Sequence, residues 1–289
     1  MKYEKSPKSE NRKPKTVFAK KSFGQNFLID QNYIDKIVSS LNPQQGETIV
    51  EIGAGRGALT EKLVESGANV IAIELDRDLT PLLEEKFGEY ENFSLVEQDA
   101  LMVDFRHLGE NFNPKSKIQN PKSIKLVANL PYNISTAILQ NLIEQREVFS
   151  KMILMFQREV VERMTVEAGN AERGFLSVLV EAYLDAEKLF DVSPNAFRPA
   201  PKVWSSIVRL KPKENVEIKD TILFRRLISA GFARKRKTIL NNLKKAPQNL
   251  KEIIGDAEKL LENCQIDSKR RAETLTLDEW LRIVKAVTF

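Results

Sequence analysis

Short apolar runs alternate with stretches of helical periodicity along most of this chain. The runs that predict strands are Thr48–Ile52, Val70–Glu74, Phe93–Val96, Ile124–Ala128, Met152–Phe156, Lys188–Val192 and Ser205–Leu210. Apolar residues at helical spacing occur in Asp30–Leu41, Leu59–Ser66, Leu79–Lys86, Ile138–Arg146, Glu159–Val166 and Leu176–Leu184. Strands that alternate with helices predict an α/β fold, in which a parallel sheet is covered by helices on both faces.

The two ends of the chain and one insert depart from this alternation. Residues 1–21 mix Lys, Pro, Ser and Asn, which predicts a basic flexible arm. The insert Asn111–Ser123 has two Pro and no apolar period, which predicts a surface loop. From Asp220 onward the pattern is helical without a strong strand. We therefore predict an α/β domain over residues 22–210 and a helical domain over residues 213–289.

Charge is distributed unevenly along the 289 residues, although the net charge is only +5. Residues 1–21 carry 8 basic and 2 acidic side chains, and residues 209–289 carry 19 basic and 11 acidic ones. The stretch between them carries 18 basic and 27 acidic side chains. Two basic ends around an acidic middle favour a polyanionic partner such as nucleic acid, although lysine-rich ends also serve solubility alone.

The scarcest residue types exclude several classes of protein. The chain has one cysteine, Cys264, and one histidine, His107. An internal disulfide, a cysteine-rich zinc site and an HExxH metalloprotease are therefore excluded, and we predict no metal. No apolar run approaches the roughly 18 residues of a membrane span, and the lysine-rich N-terminus lacks the apolar core of a secretory signal. These features predict a cytoplasmic protein in a reducing compartment.

A glycine-rich turn follows the first predicted strand, in the segment EIGAGRGA from Glu51 to Ala58. Gly53, Gly55 and Ala58 match the G-x-G-x-x-G/A pattern, which lets the backbone approach a ligand at a helix N-terminus. Glu74 ends the next strand, where a carboxylate accepts hydrogen bonds from ribose hydroxyls. The combination predicts a nucleotide-type cofactor and by itself also fits an NAD-dependent dehydrogenase.

Two further polar positions follow the third and fourth predicted strands. Asp99 lies where its carboxylate would accept a hydrogen bond from an adenine amino group. The next strand is followed by Asn129, Leu130, Pro131 and Tyr132. Here the proline fixes the turn, the asparagine offers an amide, and the tyrosine offers a flat face for a base. Because the carboxyl ends of neighbouring parallel strands share an edge, we expect these residues to meet the glycine turn.

These motifs, taken in order, resemble the S-adenosylmethionine-dependent RNA adenine-N6 dimethyltransferases. The resemblance rests on KSFGQNFL (21–28), EIGAGRGALT, IELDRDL, QDAL, NLPYNIST, QREVVER (157–163), FRPAPKV (197–203), ARKRKT (233–238) and RAE (271–273). It covers nearly the whole chain beyond the arm. It implies a Rossmann-like class I methyltransferase fold with a seven-stranded mixed sheet, an antiparallel last strand and a small C-terminal all-helical domain.

Within that family, the sequence is most similar to the bacterial enzymes that dimethylate two adjacent adenines near the 3′ end of small-subunit (16S) ribosomal RNA. Leu130 and the AFRPAPKV stretch favour this branch over the large-subunit (23S) enzymes of macrolide resistance. A non-catalytic assembly or transcription factor on the same fold is a further alternative. The resemblance implies S-adenosylmethionine as the cofactor, small-subunit rRNA as the partner, and a monomer without a membrane partner.

The same resemblance assigns roles to single residues. Asn26 and Leu28 would cover the methionine end of the cofactor, and Gly53 with Gly55 would form its floor. Glu74 would hold the ribose, Asp99 the cofactor adenine, and Asn129 would face both the cofactor and the target base. Ala54 and Ala137 depart from the prolines that are common in relatives, but neither change removes a polar contact.

Adenine N6 is a poor nucleophile because its lone pair is delocalised into the ring. The Asn129 side-chain oxygen and the Leu130 carbonyl are predicted to accept its two hydrogens, with the ring clamped between Tyr132 and Phe197. The consecutive cations Arg234, Lys235, Arg236 and Lys237 are predicted to contact RNA phosphates.

Overall fold

A mixed sheet of seven strands forms the centre of the computed structural model, which describes residues 18–20, 23–108 and 124–288. The strands in the described residues are β1 (Phe27–Leu28), β2 (Thr48–Ile52), β3 (Asn69–Glu74), β4 (Phe93–Glu97), β5 (Ile124–Asn129), β6 (Phe149–Gln157), β7 (Leu184–Val192), β8 (Phe197–Arg198) and β9 (Ser205–Pro212). The order across the sheet is β4-β3-β2-β5-β6-β9-β7. The first five of these pair in parallel, whereas β9 is antiparallel to both of its neighbours, which confirms the antiparallel last strand.

Helices follow most of these strands. Within the described residues before β7 they include α1 (Gln31–Leu41), α2 (Ala58–Glu65), α3 (Thr80–Phe87), α4 (Ser135–Glu144), α5 (Arg158–Met164) and α6 (Phe175–Tyr183). After β9 come α7 (Thr221–Phe232), α8 (Ile239–Leu243), α9 (Gln248–Ile254), α10 (Ala257–Asn263) and α11 (Leu277–Thr288). The described residues beyond Pro212 contain no strand, which agrees with the predicted all-helical region.

Alternate residues of the central strands feed hydrophobic clusters on the two faces of the sheet. Ile49 packs with the residues of α1 and α2, whereas its neighbour Val50 belongs to the cluster on the other face. That second cluster continues into the helical region and includes Phe224 and Trp280, both fully buried. The α/β and helical regions therefore share one core, and the boundary near residues 210–213 stays a prediction.

The structure extends or shifts several predicted elements. Strand β7 begins at Leu184, directly after α6, although the sequence pattern predicts Leu184 in the helix and a strand that starts at Lys188. This strand lies at the edge of the sheet, so its exposed polar residues hide the alternation. The two-stranded ladder of β1 and β8 was not predicted. The loop Asn111–Ser123 and nearly all of the basic arm lie outside the described residues.

Candidate cofactor and base site

A cavity of about 290 Å³ opens at the carboxyl ends of β2, β3, β4 and β5. The loops after these strands meet there because the strands are parallel neighbours, as the sequence predicted. The N-terminal segment Phe23–Phe27 lies along the cavity and supplies part of its lining. The predicted site residues that line it are Asn26, Gly53, Gly55, Glu74, Asp99, Asn129, Leu130, Pro131 and Tyr132.

Glu74 holds the glycine turn against the end of β3. One oxygen of its carboxylate accepts a hydrogen bond from the Gly55 N–H (2.8 Å), and the other accepts from the N–H groups of Leu75 and Asp76 (both 2.9 Å). Burial raises the pKa of Glu74, although these three backbone donors favour the ionised form. Gly55 has φ +61°, and a Cβ there would lie 3.2 Å from the Phe27 ring. The turn therefore needs glycine for both its conformation and its close packing.

A second carboxylate lies beneath this turn. Glu51 on β2 is 1% exposed, and its side chain accepts a hydrogen bond from the Thr60 hydroxyl (2.6 Å). Burial, with a smaller contribution from the negative charge of Glu74, raises the pKa of Glu51 to about 7. The hydrogen bond joins β2 to α2, so it braces the strand and the helix on either side of the glycine turn.

Asp76 anchors the N-terminal segment and was missed as a site residue by the sequence analysis. Its buried carboxylate accepts hydrogen bonds from Lys20 Nζ (2.5 Å) and Gln25 Nε2 (2.8 Å). Burial alone would raise the pKa of Asp76, but these partners and the Asp78 N–H hold it below its ordinary value. The IELDRDL motif contained this aspartate, but its partners lie 56 and 51 residues away in the sequence.

The NLPY residues are held by contacts to distant parts of the chain. Asn129 Nδ2 donates a hydrogen bond to the Asn26 carbonyl (3.0 Å), which orients the amide beside the N-terminal segment. The Tyr132 hydroxyl lies 2.5 Å from the Ser205 hydroxyl, at the start of β9. Burial raises the pKa of Tyr132, so the phenol stays neutral at physiological pH. Ser205 is thus a second supporting residue that the sequence analysis missed.

Asp99 faces the same cavity from the loop after β4. Its side chain accepts a hydrogen bond from the Leu101 N–H (2.9 Å), which caps a short 3-10 helix at Ala100–Met102. This contact fixes the carboxylate at the cavity wall. The orientation of the Asp99 side chain is therefore defined, whereas its contact with adenine stays a prediction.

Two predicted residues do not line the cavity. Leu28 pairs with Phe197 in the β1–β8 ladder, and both side chains are buried in the cluster on the α1 face of the sheet. The neighbouring Phe27 lines the cavity in place of Leu28. The Phe197 ring is 0% exposed, so it does not form a cavity wall in this structure. A base-clamping role for Phe197 would require the ring to leave that cluster, and this role stays a prediction.

The four consecutive cations lie apart from this cavity and differ in their contacts. Arg234 is bound within the helical region, to the Asn242 side chain (3.2 Å) and the Asn241 carbonyl. Lys235 is 3.7 Å from Glu172. Arg236 and Lys237 are exposed. Only part of the predicted RNA-binding cluster therefore presents its charge outward.

Comparisons with known proteins show the family of this chain. The family described as ribosomal RNA adenine dimethylase matches residues 17–288. This chain belongs to that family. A relative named ribosomal RNA small subunit methyltransferase A, from Hahella chejuensis, is 44% identical over 93% of both chains. A protein of the same name from Clostridium botulinum (strain Kyoto / Type A2) is 40% identical over 90% of both chains.

Solved structures of related proteins confirm the methyltransferase fold. A dimethyladenosine transferase from Plasmodium falciparum is 28% identical, with a TM-score of 0.70 over 90% of this chain and 96% of that one. The 23S rRNA methyltransferase ErmE is 21% identical, with a TM-score of 0.63 over 91% of this chain and 100% of that one. At that identity ErmE supports the fold alone.

The residues of the cavity fit S-adenosylmethionine, the methyl donor of this family. Glu74 lines the cavity with a buried carboxylate, the left-handed Gly55 leaves room above the turn, and Asp99 lines the cavity from the loop after β4. The ribose contact of Glu74 and the adenine contact of Asp99 stay predictions. Apolar residues such as Ile52 and Ile73 supply much of the remaining wall. In the described part of the chain, no group of three or more His, Cys, Asp and Glu side chains is placed to hold a metal ion. Nor does any helix there have the length and apolar character of a membrane span.

Replacing Asp76 with asparagine is expected to weaken S-adenosylmethionine binding about tenfold. The change removes the negative charge that holds Lys20, and a hydrogen bond to a charged group is worth roughly 1.5–3 kcal/mol. Calorimetric titration with the cofactor measures the effect. Asp78→Asn is the matched control, because Asp78 also contacts Lys20 but is exposed, with a side-chain accessibility of 64%. Equal affinities of the two variants would contradict the anchoring role of Asp76.

The raised pKa of Glu51 predicts a pH dependence of stability. A carboxyl whose pKa rises on folding from 4.5 to about 7 favours the folded state while it is protonated. Its contribution is complete below pH 4.5 and is lost as pH increases to about 7, by on the order of 3 kcal/mol. The free energy of unfolding in urea is measured at pH 5 and at pH 8. Between these two pH values it is expected to decrease less in Glu51→Gln than in the unsubstituted protein. The same loss in both proteins would mean that Glu51 does not titrate in this range.

Proposed function

We propose that this chain transfers methyl groups from S-adenosylmethionine to N6 of two adjacent adenines near the 3′ end of 16S rRNA in the small ribosomal subunit. Each transfer forms an N–CH3 bond, breaks the S–CH3 bond of the donor and releases one N6 proton to water, so that two transfers give N6,N6-dimethyladenosine. The names of the relatives support the small subunit as the substrate rather than the large one. The observation that carries the chemistry is the position of Asn129, whose amide is held by Asn26 at a cavity lined by Glu74 and Tyr132.

The cofactor, when bound, supplies an electrophilic methyl group on a sulfonium centre. Asn129 donates through Nδ2 to the Asn26 carbonyl, so its Oδ1 remains as an acceptor. Asn129 Oδ1 and the Leu130 carbonyl accept the two N6 hydrogens of adenine, which draws the N6 lone pair out of conjugation. Pro131 fixes the backbone between these acceptors and Tyr132.

Tyr132 provides a flat face on which the target base stacks, an interaction worth about 1–3 kcal/mol. The Ser205 hydroxyl fixes the position of this ring by its contact with the phenol oxygen. Because the target adenine must enter a cavity, it has to leave any stack in the RNA before reaction. Asn129 and Tyr132 thus position the base, and positioning of the two reactants accounts for much of the rate.

The RNA would be held by the outward-facing cations Arg236 and Lys237, with Lys235 beside them. We also propose that the enzyme is a cytoplasmic monomer. The buried free thiol of Cys264 suits a reducing compartment.

Replacing Asn129 with alanine is expected to lower the rate of methyl transfer by about a hundredfold or more, because one of the two acceptors of N6 is lost. The rate is measured on unmethylated small subunits at saturating S-adenosylmethionine. Asn263→Ala is the matched control, since Asn263 is an exposed residue at the end of α10. Full activity of Asn129→Ala would refute the assigned mechanism.

Replacing both Arg236 and Lys237 with glutamine is expected to weaken rRNA binding and to make its salt dependence shallower. The slope of log affinity against log salt should fall by about two, roughly one for each phosphate that the protein no longer neutralises. Cofactor affinity should be unchanged, because neither residue lines the cavity. Filter binding at several salt concentrations tests this, with Lys62→Gln on α2 as a control for the loss of a remote charge. An unchanged slope in the double variant would mean that other residues bind the phosphates.

A further inference from the structure

A second cavity lies between α4 and α7, on the helical side of the molecule. Its volume is about 1160 Å³, and it shares no lining residue with the cofactor cavity. Its lining includes Arg106, Arg146, Arg225 and Arg226, together with Glu144 and Glu147. None of these arginines lines the cofactor cavity, so the proposed methyl transfer gives them no role.

Two polar atoms of residues that line this cavity are buried without a hydrogen-bond partner among the described residues. They are Nη2 of Arg226 and the hydroxyl of Tyr183. Tyr183 is 1% exposed, and burial raises its pKa to about 12, so its hydroxyl stays protonated and is a donor. A buried donor without a partner costs about 1–3 kcal/mol. Both groups therefore lack an acceptor that a bound ligand would supply.

The arginines of this cavity differ in how far their charge is satisfied by the protein. Arg225 forms an ion pair with Glu144 and donates to Gln140 (2.9 Å), and Arg106 is paired with Asp104 (2.8 Å). Arg226, in contrast, forms no ion pair with any of the described residues.

Arg146 extends the positive lining next to Tyr183. It donates to the Ile143 carbonyl (3.0 Å), and its guanidinium lies 4.4 Å from the centre of the Tyr183 ring. Arg146 and Arg226 line the same cavity as this neutral phenol donor, a combination suited to an oxyanion. Glu144, Glu147 and Asp220 add negative charge nearby, but Glu144 is already neutralised by Arg225.

We propose that Arg226, Tyr183 and Arg146 form a docking site for a phosphate of the RNA backbone, separate from the cavity in which the base reacts. The inference rests on the proposed rRNA substrate. Guanidinium groups are the usual partners of phosphodiesters, and a cavity of this size exceeds the needs of a single small anion.

Two features connect this site with the rest of the proposed RNA surface. Helix α7, which carries Arg226, ends just before the cations Arg234–Lys237, and Ala233 lines the cavity at that end. Helix α4 begins next to the NLPYN residues and reaches the cavity at Glu144. Ten residues at 1.5 Å each span about 15 Å, so the site lies about one short helix from the reacting base. A single RNA strand or helix can thus reach both places.

The test compares Arg226→Gln and Tyr183→Phe in the full-length protein. The probe is an unmethylated 3′ fragment of small-subunit rRNA, and Lys62→Gln is the control. We expect Arg226→Gln to bind the fragment about tenfold more weakly, with a salt slope shallower by about one. Tyr183→Phe should bind about threefold more weakly with an unchanged slope, since it loses a donor but no charge. S-adenosylmethionine affinity should be unchanged in both.

Thermal unfolding separates this role from a structural one. Tyr183→Phe keeps the ring and removes only a hydroxyl without a partner, so its melting temperature should be equal or higher. If both variants bind the RNA fragment as the unsubstituted protein does, the proposal is wrong. If they bind naked rRNA normally but bind whole small subunits more weakly, the site takes an acidic protein segment, and the RNA assignment is also overturned. Failure of the unsubstituted protein to bind or methylate rRNA would instead refute the proposed function.

Discussion

The set of hydrogen bonds to the Glu74 carboxylate is the interaction on which the catalytic end of the molecule depends. It joins the turn after β2 to the loop after β3 through the N–H groups of Gly55, Leu75 and Asp76. A buried carboxylate is costly unless such donors surround it. Those donors in turn fix the backbone of both loops. The floor of the cavity and the anchor for the N-terminal segment, Asp76, are therefore parts of one arrangement.

Much of the fold was predictable because each central strand is a short apolar run that is buried on both faces. The cofactor site was predictable for a related reason: loops after parallel neighbouring strands must share one edge, so Glu74, Asp99 and Asn129 had to converge. Supporting contacts were not predictable from local pattern. Tyr132 and Ser205 are 73 residues apart, and only the folded sheet brings them together. Phe197 could not be assigned for a different reason. An aromatic side chain is equally suited to clamping a base and to packing in the core, so the residue type does not distinguish the two roles.

Basic side chains in the helical region have two roles, internal hydrogen bonding and outward exposure of charge. Composition alone does not distinguish them. Arg234 makes its hydrogen bonds within the region and stabilises the segment after α7. The neighbouring Arg236 and Lys237 project outward from the same segment. A run of cations can therefore combine a residue that fixes the backbone with residues that meet solvent or a polyanion.

The short ladder of β1 and β8 links two segments that are far apart in sequence. Leu28 is paired with Phe197, directly beside the Asn26 and Phe27 that line the cofactor cavity. A displacement of either strand is thus transmitted to the other through backbone hydrogen bonds. If the FRPAPK segment moves when RNA binds, the binding of RNA and the binding of S-adenosylmethionine become thermodynamically linked. By reciprocity, any factor by which the methyl donor changes RNA affinity equals the factor by which RNA changes donor affinity.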